Sequence, residues 1–136
     1  MLKYMLDTNI CIALLRGQAQ HLHSKFNSEA LAMCISAVAA FELRTGVEKS
    51  PNKEKSQNLL NSLLANLEVL DFGEKAAAHA ADIRAVLERQ GNAIGPCDTL
   101  IAGHARSEGL VVVTDNENEF RRVEGLRVEN WIRDLQ

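Results

Sequence analysis

Four short apolar runs, KYML at 3–6, LAMCIS at 31–36, LEVLDF at 67–72 and LVVVT at 110–114, alternate with longer segments of helical periodicity. That alternation constrains the fold more than any other feature of the chain. Short apolar runs next to turn-forming residues predict strands, the first two of them buried. Strands interleaved with helices predict an α/β fold, an α/β/α sandwich with a central parallel sheet joined by right-handed crossovers. The helices are expected over 9–16, ending near Gly17, and over 37–49 behind a Ser36 N-cap. A helix or turn is expected around His21 to Phe26. Residues 53–66 carry Leu59, Leu60, Leu63, Leu64 and Leu67 at one-face spacing, and Glu74 to Arg89 carry Ala76, Ala80, Ile83 and Leu87. A last long helix begins at Pro96 and closes at Gly109.

With 136 residues and 46% hydrophobic content, the chain suffices for one sizeable core, so residues 1–136 are expected to form one domain. Charges interrupt every apolar stretch well short of a membrane span, and the basic start of a signal peptide is missing, so a cytoplasmic protein is expected. Cys11, Cys34 and Cys97 are odd in number and lack CxxC spacing, which excludes a disulfide framework and leaves them as small core residues. The histidines, His21, His23, His79 and His104, are too scattered to form a site and are expected at the surface or in packing.

The 15 Lys+Arg against 18 Asp+Glu give a net charge of -3, which offers no general attraction for nucleic acid. Binding of that kind would have to come from local patches, such as Arg121, Arg122, Arg127 and Arg133, or from bound cations. A solvated charged face is the plainer explanation of those arginines.

The carboxylates are more informative. Asp7 follows the first strand, where it suits a helix N-cap and also the carboxyl-end crevice in which open α/β sheets hold ligands. Glu42 shares a helix face with Val38, Phe41 and Thr45 that is expected to face the core, and a carboxylate there must be paired, protonated or bound to a cation. Asp98, with Ile101, Ala102 and Ala105, repeats the pattern, although an acid in a helix's first turn also complements the dipole. The last strand ends at Thr114 and is followed by Asp115, Asn116, Glu117 and Glu119, which alone read as an ordinary turn. If that strand neighbours the first across the switch point of a doubly wound sheet, these groups share one pocket. Crowded carboxylates raise one another's pKa unless a cation neutralises them, and a hard divalent ion is the natural occupant.

MLDTN at 5–9, ISAVAAFELRTGVEKS at 35–50, GPCDTLIAGHA at 95–105 and VVVTDNENEF at 111–120 together resemble the ordered acidic motifs of PIN-domain ribonucleases, and more narrowly the VapC-type toxins of bacterial toxin-antitoxin pairs. The resemblance runs nearly end to end. It implies a Mg2+- or Mn2+-dependent endoribonuclease, a homodimer, a VapB-type antitoxin partner and an RNA substrate, with tRNA, and the initiator tRNA anticodon loop, favoured. By position it implies that Asp7, Glu42 and Asp98 are the core acids, with Asp7 and Asp98 holding metal and Asn9 and Thr114 in support.

Two positions depart from the family pattern. Ala39 stands where many relatives have Thr, and Asn116 stands where many PIN domains have Asp. The fourth acid is therefore Asp115 or Glu119, or else the site has three strong acids. A haloacid dehalogenase-like phosphotransferase would need Asp at the position of Asn9, and a receiver domain would need an acidic pair and a lysine that the chain lacks. The remaining alternative is a non-catalytic partner-binding protein that keeps the fold.

Overall fold

The computed structural model describes residues 1–18 and 20–134. Strands β1 (Tyr4–Leu6), β2 (Met33–Ser36), β3 (Glu68–Leu70), β4 (Val111–Val113) and β5 (Val128–Glu129) form one sheet in the order β3-β2-β1-β4-β5. Every pairing in it is parallel. The helices are α1 (Thr8–Leu15), α2 (Gln20–Ser28), α3 (Ala37–Glu48), α4 (Lys53–Leu64), α5 (Glu74–Arg89), α6 (Pro96–Glu108), α7 (Glu117–Phe120) and α8 (Trp131–Asp134). None of the helices described is long and apolar enough to cross a membrane.

The order places β1 at the centre. The chain steps outward from β1 to β2 and β3, then returns to lay β4 on the other side, so the switch point lies between β1 and β4. Leu6 pairs with Val113, and Asp7 N–H bonds the Val113 carbonyl at 2.9 Å, which brings the residues after both strands to one rim. All three residues of β1 and all three of β4 are buried, as expected of strands covered on both faces.

The α5 stripe of Ala76, Ala80, Ile83 and Leu87 is buried as the spacing predicts, and it packs along α6. Gly103 on α6 sits against this stripe so closely that a Cβ there would lie 2.5 Å from the Ala80 nitrogen. Gly109 ends α6 in the left-handed region at φ 68, where glycine carries no steric penalty. Ser36 caps α3 by accepting from Val38 N–H at 3.1 Å, and its Oγ lies 2.8 Å from Nδ1 of the buried His104. Burial lowers the His104 pKa, and the contact between the ring and Ser36 ties α6 to the start of α3.

The structure corrects several expectations. On α4, Leu60 and Leu63 are buried while Leu59 is 44% exposed, so the leucine stripe covers less core than its spacing predicts. Phe41 is 63% exposed, because the buried side of α3 is set by Ala39, Ala40, Leu43 and Val47, one residue round the helix. Strand β5 and helix α8 were not anticipated; Trp131 of α8 packs edge-on against Tyr4 with ring centroids 4.8 Å apart.

Candidate active site

Asp7 leaves β1 in an extended conformation and caps α1, so its expected structural role is real. Its carboxylate is also fully engaged. Oδ1 accepts from the Thr8 backbone N–H at 2.7 Å, and Oδ2 accepts from the Thr114 hydroxyl at 2.8 Å. Thr114 is itself fixed, since its Oγ1 accepts from Asn116 N–H at 2.9 Å. Burial dominates the electrostatics of Asp7 and pushes its pKa up to about 6. The Thr114 and Thr8 hydrogen bonds oppose that rise, and the nearby charges of Glu42 and Asp115 add to it.

Asp98 lies in the first turn of α6, where the helix dipole favours its ionised form. That advantage is outweighed. Burial first, then Asp7, then a Glu119 carboxyl close enough to share a proton, then Glu42, raise Asp98 to about 7. Asn116 Nδ2 donates to Asp98 Oδ2 at 3.3 Å. Asn116 therefore touches both ends of the cluster, one through its backbone and Thr114, the other through its side chain.

Glu42 is half-buried in the middle of α3, and its Oε1 accepts from the Thr8 hydroxyl at 2.5 Å. A core-facing carboxylate was expected to need a partner, and Thr8 is that partner. Asp7, Glu42 and Asp98 thus lie within electrostatic reach of one another from the end of β1, from α3 and from α6, and Glu119 of α7 joins them through Asp98. Asp115 is exposed at the rim, where its charge still reaches Asp7. Asn9 is exposed on the first turn of α1 and makes no hydrogen bond to the cluster. Thr8 and Cys97 were missed. Cys97 was expected in the core, but it is only partly buried and its thiol is pushed up by burial and then by Glu42 and Asp98, which keeps it protonated beside them. The signal for Thr8 was its place next to Asp7, which a capping role had already explained.

The donors suit a hard divalent cation: they are carboxylate oxygens, and burial together with neighbouring negative charge makes the ionised forms of Asp7 and Asp98 costly until a positive charge joins them. Among the described residues no three carboxylate, thiol or imidazole groups are arranged as a finished metal cage. Mg2+ asks for none, because it keeps several waters and is held through one or two carboxylates.

Known proteins share this fold. The PIN domain family model matches residues 4–126. The tRNA(fMet)-specific endonuclease VapC of Salmonella typhimurium is 47% identical over 131 residues, covering 96% of this chain and 99% of that one. Ribonuclease VapC2 of Haemophilus influenzae is 46% identical over 132 residues, covering 97% and 100%. The fold is similar to the crystal structure of DNA-bound VapBC from Salmonella typhimurium, with a TM-score of 0.93 at 46% identity over 96% of this chain and 99% of that one. It is also similar to VapBC2 from Rickettsia felis bound to a promoter DNA fragment, with a TM-score of 0.91 at 37% identity over 96% and 99%. A five-stranded parallel sheet, an acidic cluster at its switch point and these relatives lead to one assignment: the chain belongs to the VapC ribonucleases of the PIN-domain family.

Proposed function

We propose that this chain is one nuclease domain, the toxin of a type II toxin-antitoxin pair, and that it hydrolyses RNA phosphodiester bonds at the Asp7, Glu42, Asp98 and Glu119 cluster with Mg2+ or Mn2+. The observation that carries the reading is the link between Asp7 and Asp98 at the switch point, made by Thr114 and Asn116 through hydrogen bonds of 2.8, 2.9 and 3.3 Å, where burial raises both carboxyls, to about 6 and about 7. A divalent ion, when bound, would supply a water of lowered pKa and positive charge against the scissile phosphate. Asp7, whose two oxygens already accept from Thr8 N–H and the Thr114 hydroxyl, and Asp98, whose Oδ2 accepts from Asn116, would hold the ion. Glu42, anchored through Oε1, offers Oε2 to orient the attacking water and take its proton. Glu119 supplies the fourth carboxylate beside Asp98. Held there, such an ion would also screen the acidic pocket from the substrate, so that a chain of net charge -3 could act on RNA.

The substrate we infer is tRNA, with the initiator tRNA anticodon loop first, because the Salmonella typhimurium relative is a tRNA(fMet)-specific endonuclease. The partner we infer is a VapB-type antitoxin, since relatives crystallise as VapBC complexes. A groove of about 290 Å³ between α1, α3 and α4 runs from Glu42 over Ile12, Leu15, Leu43 and Val47, an apolar floor for a partner segment entering the site. A homodimer acting in the cytoplasm completes the reading, with the exposed Phe41 as apolar surface for the second copy. Sequencing RNA ends after induced expression is the test. Cuts in one tRNA leaving 5'-phosphate and 3'-hydroxyl ends, lost in Asp7→Asn and with EDTA in vitro, are expected; cleavage that survives EDTA overturns the metal-dependent reading.

A further inference from the structure

Thr8 stands between two of the acids and bonds both. Its backbone N–H donates to Asp7 Oδ1 at 2.7 Å, and its hydroxyl donates to Glu42 Oε1 at 2.5 Å. The second contact joins residues 34 apart in sequence and links α1 to α3. At that length it is a charge-assisted hydrogen bond, the strong kind.

Nothing about the helix requires the hydroxyl. Thr8 is the first residue of α1, its side chain makes no bond back to its own helix, and the residue is 6% exposed. A β-branched apolar side chain of the same shape would fill that space. The hydroxyl therefore matters through Glu42, the group it touches.

We propose that Thr8 is a positioning residue that fixes the separation of the Asp7 and Glu42 carboxylates. The inference rests on the nuclease reading above for its consequence in catalysis. A threonine's χ1 is stiff, so its nitrogen and Oγ1 hold a nearly constant spacing, and acids bonded to each cannot drift apart independently. Asp7 and Glu42 repel, as the upward push of Glu42 on Asp7 shows. Glu42 is only half-buried, and without the hydroxyl that repulsion turns its carboxylate outward to water. Thr8 holds Glu42 through Oε1 against its neighbour's charge.

The test compares Thr8→Val, which keeps the backbone N–H and the shape, with Thr8→Ser, which keeps the hydroxyl. Thr8→Val is expected to lower kcat by about 10- to 100-fold, the cost of losing a partner that orients a metal-site ligand, with KM for RNA unchanged. Thr8→Ser is expected to restore most of the rate. In a Glu42→Gln background Thr8→Val should add little, because the two changes act through one contact. A Thr8→Val enzyme with normal kcat, or a loss as large in the Glu42→Gln background, overturns the proposal. A readout independent of cleavage is the 13C carboxyl signal of Glu42, assigned by its absence in Glu42→Gln. It should move in Thr8→Val and stay in Thr8→Ser. If the signal behaves so while the wild-type chain cuts no RNA, the nuclease reading fails and the positioning contact stands; if the signal is unmoved in a folded Thr8→Val, the contact itself is refuted. Should Thr8→Val not fold, a Thr8→Ser enzyme with kcat reduced as far as that of Glu42→Gln refutes it equally.

Discussion

Asp7 and Thr114, 107 residues apart in sequence, meet through a 2.8 Å hydrogen bond at the ends of two adjacent parallel strands. This bond is one of two that hold the most deeply buried carboxylate of the cluster, and it draws the Asp7 pKa downward against the effect of burial. Thr114→Val is expected to push Asp7 up further, to lower kcat by about 10- to 100-fold and to cost about 1–3 kcal/mol of stability at pH 8, where the carboxylate is ionised and short of a partner. Steady-state kinetics and chemical denaturation measure both.

The pH dependence of the metal-free protein follows from the two raised carboxyls. Asp7 rises from 3.8 to about 6 and Asp98 from 3.8 to about 7, so between these limits the folded chain binds more protons than the unfolded chain. Stability contributed by these groups is fully present below pH 3.8 and is lost as pH rises through about 6 and 7. Melting curves without metal should show Asp98→Asn gaining on the wild type across that interval. A difference between the two that stays constant with pH contradicts the prediction.

Millimolar Mg2+ should raise the melting temperature of the wild type, as any ligand of the native state does. The rise should be larger at pH 8 than at pH 5.5, because protons on Asp7 and Asp98 compete with the ion. Differential scanning calorimetry at the two pH values decides it, and Asp98→Asn should respond weakly at both.

Asp98→Asn should abolish cleavage while keeping the fold. The asparagine carbonyl can still accept from Asn116 Nδ2, and the repulsion from Asp7, Glu119 and Glu42 is removed. Retained circular dichroism with no RNA cleavage is the expected result; an unfolded variant would instead mean that Asp98 serves mainly to start α6.

Gly103→Ala tests the platform under Asp98. The added Cβ would lie 2.5 to 2.7 Å from Ala80 atoms, backbone included, so α5 and α6 must separate. A loss of about 1–3 kcal/mol is expected from such overpacking, read by denaturant melts. Cleavage should fall as well, because α6 carries Asp98 to the rim.

The sheet was legible because its strands are short apolar runs and the chain alternates them with helices of clear period. The α5 stripe of Ala76, Ala80, Ile83 and Leu87 and the Pro96 to Gly109 bounds of α6 could be read by counting. Strand β5 could not, since two half-buried residues, Val128 and Glu129, carry no periodicity. Phe41 was misplaced because a helix face turns about 100° per residue and small alanines, not the aromatic, mark the buried side. The acids near the site could be named one by one from their unusual positions. Their partners could not, because the Thr8 to Glu42 and Asn116 to Asp98 contacts cross between elements, and local spacing is silent about such pairs.

The 107 residues between Asp7 and Thr114 also set a schedule. A ribosome adding about 5–20 residues per second needs about 5–20 s to make that stretch. For most of that interval the emerging chain carries Asp7 and Glu42 without Asp98, which is made late in it, and β1 can have β2 beside it but not β4. The central strand waits for a neighbour synthesised near the far end of the chain, and the contact is of the long-range kind that forms late. A nascent copy is therefore harmless to the RNA around it until nearly all of it has been made, which leaves a window in which a partner already present can reach it first.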